Sequence, residues 1–235
     1  MPLPCCAEPL PGAPRPVHDV PVVTQYASPE IVFAIAYEDH DPGDDPAWAT
    51  SGAASQEEYR RWSRHLCGMA CLRMSLLHRD GDSPALFDLL AGARHHGAYT
   101  EQDDGSIKGL IYGPFARYAQ AAHGLAAAVH PQLTMGELTG LLDAGRLVMA
   151  SVHKSIRTPA ENPPHRGGHL VLVRGRTPEG DLVFNNPSGH TAATREATLP
   201  ASRFADFFAG RGVALDLRPQ PAPLHTPAGH TSPVI

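Results

Sequence analysis

Near residue 146 the chain changes its hydrophobic period, and that change fixes the class of fold. Upstream, apolar residues recur at three- and four-residue spacing, the signature of helices. Downstream, LVMASVH, HLVLVRG, DLVFN and GVALDLR are short runs rich in Val and Leu, separated by turn residues, and these read as strands. TPEGD between the second and third runs is a hairpin turn, so those two strands are antiparallel neighbours. Helices first and an antiparallel sheet afterwards is an α+β arrangement, a helical N-terminal half packed on a C-terminal sheet.

Local signals divide the helical half. PEIVFAIAYE, near residues 29–38, reads as a short helix, and the DHDPGDDPAW that follows is loop by composition. Ser55 with Glu58 makes a capping box, predicting a helix through EEYRRW toward residue 64. The central helix is expected from Cys67 to His78, with Ala70, Cys71, Met74 and Leu77 on one buried face. Ser83 and Pro84 mark a helix entry before ALFDLLAGARHH, with Gly97 as its stop. PFARYAQAAH gives another helix ending at Gly124. Thr134 with Glu137 caps a last one, MGELTGLLDAG, terminated at Gly145.

With 235 residues the chain is long enough for one full-sized core. Six prolines in residues 1–17 and five in 218–235 make both ends read as disordered arms, leaving one catalytic domain over 18–217. The formal charge of −5 gives no basic field for nucleic acid or anionic membrane, so neither partner is expected. The N-terminal stretch lacks the apolar core of a signal peptide and no run of about 18 apolar residues occurs, which points to a cytoplasmic, thiol-reducing setting. Cys5 and Cys6 sit in the first arm, badly placed to staple a core.

The chemistry concentrates in three places. Cys67 opens the central helix in HLCGMACLRM, where unpaired amides and the helix dipole favour a thiolate. Gly68 lets backbone approach a substrate closely, and the Cys67 amide can donate to an oxyanion. Roughly a hundred residues later His169 enters a strand behind Gly167 and Gly168, as a general base must if it is to meet the thiol in space. Asn186 lies at the far end of the hairpin's return strand in FNNPSG, beside the start of the His169 strand, and can orient the imidazole. Its neighbour Asn185 competes for that role, and strand alternation sends the two to opposite faces.

Taken together, CGMACLRM, GGHLVLV and VFNNPSG resemble the Cys-Gly, Gly-His and Asn-Asp-Pro motifs of cysteine peptidase family 39, the bacteriocin-leader-processing type, and its stand-alone relatives. The resemblance implies a papain-like cysteine peptidase fold with Cys67 as nucleophile and His169 as base. Asn186 takes the orienting place, usually aspartate in this family. The family's oxyanion glutamine commonly stands six residues before the cysteine, a slot held here by Arg61. The pattern VPVVTQ points instead to Gln25, with an insertion between it and Cys67.

An acyl-Cys67 intermediate resolved by water makes a peptide or amide hydrolase; resolved by an amine, it makes an acyltransferase or amide-forming enzyme. The expected substrate is a peptide or a small amide or thioester, carrier-protein-bound substrates included. No metal or organic cofactor is required. Two rivals stand beside this reading. One is a metal site drawn from His65, Cys67, Cys71, His78, His95 and His96, although no paired Cys-x-x-Cys or His-Glu-x-x-His spacing occurs. The other is a papain-like binding module without chemistry. The loop 154–168, leading straight to His169, is expected to border the cleft, with Arg157 or His165 facing a carboxylate-bearing substrate.

Overall fold

The structure is a computed structural model that describes residues 17–160 and 162–218. Apart from Val17 and Arg218, the two expected arms, with Cys5 and Cys6, lie outside the described residues.

The helical half holds α1 (Val32–Tyr37), α2 (Gln56–Trp62), α3 (Cys67–Asp80) and α4 (Leu86–His95). A small hairpin, β1 (Thr100–Glu101) with β2 (Ile107–Lys108), precedes α5 (Tyr112–His123). Then come β3 (Ala126–His130), α6 (Met135–Asp143), β4 (Leu147–Val152), β5 (His169–Arg176) and β6 (Leu182–Asn185). The chain closes with α7 (Ala192–Arg195), β7 (Glu196–Leu199), α8 (Ala201–Phe207) and β8 (Phe208–Asp216). Six strands form one antiparallel sheet in the order β3-β8-β4-β5-β6-β7. The fold is α+β, helical first and sheet second. Among the described residues no helix is long and apolar enough to cross a membrane.

Strand alternation gives the sheet two buried faces. Leu147, Met149, Leu170, Leu172, Val213 and Leu215 point into a large core shared with α3, α4 and α5. Val148, Ala150, Val152, Val171, Val173 and Phe184 point the other way, into a second core closed by α6 and α8. This explains why β4 is apolar without alternation: all six of its residues are buried.

The central helix departs from a one-sided stripe. Ala70, Cys71 and Met74 are fully buried as expected, but Leu77 is only partly so, while Met69, Leu72 and Leu76 bury the flanks. Packed between α4 and β5, the helix has little surface left for solvent. Both caps are present. Thr134 Oγ1 accepts from the Glu137 amide at 3.2 Å while Glu137 Oε2 accepts from the Thr134 amide at 2.7 Å. Ser55 Oγ accepts from the Glu58 amide at 3.1 Å, but Glu58 reaches back to the Ala54 amide at 2.8 Å, one residue short of a closed box. The helix expected to enter at Ser83-Pro84 starts at Leu86, because Ala85 is still extended after the proline.

The insertion after Gln25 is a folded unit. Tyr26, Val32 and Ile35 make its own small core. The buried carboxylate of Asp45 ties it to α2, accepting from Ser28 Oγ and Tyr59 Oη, each at 2.5 Å, and from the Ser28 and Ala47 amides at 3.1 and 3.0 Å. Burial alone would raise its pKa. The hydrogen bonds win, and the carboxyl is held below its ordinary range.

Candidate active site

A short 3-10 turn, Ser63–His65, delivers the chain to Cys67, the first residue of α3, with Leu66 buried beneath it. The cysteine is partly exposed and lines a cleft of about 500 Å³ together with His169, Leu170 and Tyr112. Gly68 must be glycine here. A Cβ would lie 2.7 Å from Leu110 Cδ2, 3.2 Å from Tyr99 Oη and 3.3 Å from Leu170 Cδ1. The backbone amides of Leu170, Gly68 and Cys67 itself lie around the sulfur and favour its charged form. Leu170 directly follows His169, so the turn-helix junction and the head of β5 converge on one wall.

The expectation that the helix start lowers the thiol pKa is corrected by the surroundings. Burial dominates and pushes the Cys67 thiol up, and the three backbone bonds only partly offset it. His169 is also buried, and its pKa is pushed down to about 4 by that burial, against the hydrogen bond to Asn186, with Arg157 and His153 adding to the depression. At rest the pair is therefore neutral thiol and neutral imidazole.

The tautomer of that imidazole follows from its neighbours. The Ser188 backbone N–H can only donate, and it donates to Asn186 Oδ1 at 3.0 Å. This fixes the amide with Oδ1 toward His169, whose Nε2 lies 2.8 Å away and must carry the proton that Oδ1 accepts. Nδ1 is left without a proton, the form a base needs. No hydrogen bond joins Cys67 Sγ to the ring, although both side chains line the same cleft.

Asn185 turns to the other side of β6, donating from Nδ2 to the Val20 carbonyl at 2.9 Å and contacting Met74 Sδ at 3.6 Å. It fastens the N-terminal segment and takes no part in the cleft. Ser188 was not singled out from the sequence. Its Oγ lies 3.1 Å from His169 Nε2 and 3.3 Å from Asn186 Oδ1. The only hint is its place two residues beyond Asn186 in a Pro-Ser-Gly turn.

Gln25 is buried behind the cysteine wall. Its amide N–H bonds the Pro187 carbonyl at 2.9 Å and its Nε2 donates to the Ser63 carbonyl at 3.0 Å. It is thus held between the turn after Asn186 and the turn before Cys67, without lining the cleft. Arg61 points away and pairs with Glu101. In the loop before β5, Gly168 lines the cleft, whereas Arg157 lies over the Tyr37 ring at 5.6 Å and His165 packs on His153 at 4.4 Å. Among the described residues no three His, Cys, Asp or Glu side chains converge to hold a metal. Cys71 is fully buried and directs its thiol at the Leu170 carbonyl, and His78 contacts His18 at 3.2 Å.

No protein-family model and no curated protein matches the chain. Solved structures do. The peptidase domain of Streptococcus ComA, a bi-functional ABC transporter involved in a quorum-sensing pathway, is similar over 65% of this chain and 91% of its own, at 15% identity and a TM-score of 0.44. A Bacillus anthracis protein described as C39-like peptidase is similar over 66% and 90%, at 14% identity and a TM-score of 0.46. Both structural neighbours carry a peptidase description.

Proposed function

We propose that the protein is a thiol-dependent peptide or amide hydrolase that works through an acyl-Cys67 intermediate. The observation that carries this reading is the Ser188-Asn186-His169 relay, which leaves an unprotonated Nδ1 on the wall of the cleft that exposes Cys67. His169 takes the thiol proton as Sγ attacks the carbonyl carbon, and the resulting imidazolium gives it to the leaving amine. Water, deprotonated by the same nitrogen, then releases the acid. The Cys67 amide, at the open end of α3, receives the oxyanion, and Gln25, held between the Pro187 and Ser63 carbonyls outside the cleft lining, braces the turn that presents it.

Room for an extended chain favours peptide hydrolysis. Gly109 and Gly168 both line the cleft, both are exposed, and a Cβ at either would meet nothing within 4 Å. An acyltransferase would use the same thioester and needs an amine in place of water. The free thiols Cys67 and Cys71 suit a reducing, cytoplasmic setting.

Mass spectrometry of the intact protein with a panel of peptides and activated esters tests the reading. An acyl adduct on Cys67, absent in Cys67→Ala, is expected. Undiminished turnover by Cys67→Ala would eliminate the mechanism, and decay of the adduct that requires added amine would identify a transferase.

A further inference from the structure

The chain as a whole is acidic, at −5, yet the cleft is cationic. Its lining includes Arg64, Lys108 and Arg211 and contains no aspartate or glutamate. All three are exposed. Among the described residues nine other arginines pair with carboxylates, whereas Arg64, Lys108 and Arg211, like Arg73, Arg117, Lys154, Arg157, Arg166 and Arg195, form no such ion pair. Three cations with no carboxylate to neutralise them therefore line the place where the substrate would sit.

Each is held by its fold. Arg64 belongs to the turn that leads into Cys67, and its guanidinium donates to the Ile35 and His40 carbonyls at 3.3 and 3.1 Å, contacts that position it without cancelling its charge. Arg211 lies on β8 where the register against β4 shifts between Ala150 and Val152, a bulge that re-aims a side chain. Its Nη2 is 3.0 Å from where a Cβ of Gly167 would be, two residues before His169, and it faces the Tyr112 hydroxyl. Lys108 ends the small hairpin on the segment that continues to Gly109 and Leu110. Three separate elements therefore bring positive charge to the rim around Cys67 and His169. Like-signed charge along a cleft concentrates ligands of the opposite sign.

We infer that the cleft selects acidic peptides, with Arg64, Lys108 and Arg211 holding aspartate or glutamate side chains that flank the scissile carbonyl. This rests on the hydrolase reading above. The test has two arms, so that the two ideas fail separately. In the first, matched peptides with acidic, neutral or basic residues around one scissile bond are compared by kcat/KM. The acidic peptide is expected to be favoured about tenfold over the neutral one, and Lys108→Glu with Arg211→Glu to reverse the order.

The second arm needs no turnover. Alkylation of Cys67 by iodoacetate is compared with alkylation by iodoacetamide, and the ratio of the two rates cancels changes in the thiol itself. Arg211→Gln and Lys108→Gln should each lower that ratio by about two- to fivefold, and added salt should lower it in the unmodified protein. A ratio indifferent to both variants and to salt, or preferred cleavage of the basic peptide, would overturn the inference. A ratio that shifts as expected while no peptide is cut would overturn the hydrolase reading and leave the selection for anions standing.

Discussion

Replacing Asn186 by aspartate should bring the His169 imidazole back toward the range in which it protonates near neutral pH. In the native protein Asn186 Oδ1 accepts from His169 Nε2 and from the Ser188 amide, while its buried Nδ2 has no partner among the described residues. The aspartate keeps the two accepted bonds and replaces an orphaned donor with an acceptor. It also puts a negative charge 2.8 Å from the ring, a distance at which an opposite charge raises a histidine pKa by about 1 to 3 units. From a starting point of about 4, His169 should move to roughly 5 to 7, which stabilises the imidazolium by about 1.4 to 4 kcal/mol. An imidazolium lining the same cleft should then draw the Cys67 thiol pKa down as well. Two measurements read this: imidazole titration by NMR, and the pH dependence of Cys67 alkylation by iodoacetamide, whose alkaline limb should move to lower pH. An imidazole that still titrates near 4 with an unmoved alkylation profile would refute the argument. So would an Asn186→Ala variant matching Asn186→Asp.

In the unmodified protein, iodoacetamide should label Cys67 and leave Cys71 untouched until the protein unfolds, as peptide mapping will show, because Cys71 is sealed in the core. Gly68→Val forces Leu110 and Leu170 off the helix start. A loss of about 1 to 3 kcal/mol by denaturant titration is expected, together with slower alkylation of Cys67. Asp45→Ala strips the acceptor from Ser28 and Tyr59, and chemical denaturation should show a loss of about 2 to 4 kcal/mol. His169 binds its proton less readily folded than unfolded, so its contribution to stability is complete above about pH 6.5 and is lost as the pH falls toward 4. That loss amounts to about 3 kcal/mol, and His169→Gln should flatten this limb of the stability profile.

Features governed by short-range chemistry could be read from the sequence. The Thr134-Glu137 box, the αL stop at Gly124 and the strand-turn-strand around TPEGD each depend on residues a few positions apart. The sheet edges could not. Ala126–His130 is alanine-rich and half exposed, and Glu196–Leu199 alternates only weakly, because each pairs on one side alone and buries little. In the site, the proximity of His169 and Asn186 follows from hairpin geometry, whereas Ser188 acts through a turn whose shape no spacing rule encodes. The net direction of the Cys67 shift is hidden from the sequence for a related reason. A helix start is visible locally, but Leu110, Tyr99 and Leu170 closing over it come from distant parts of the chain.

β5 carries His169 and, one position on, Leu170, whose backbone lies beside the Cys67 sulfur. Both faces of this strand are packed into cores, so it cannot slide without disrupting one of them. A fluctuation that moves the strand carries the imidazole and the sulfur contact together. Any change in the width of the cleft must then come from its other walls, such as Lys108 to Tyr112, while His169 and Leu170 stay registered to each other.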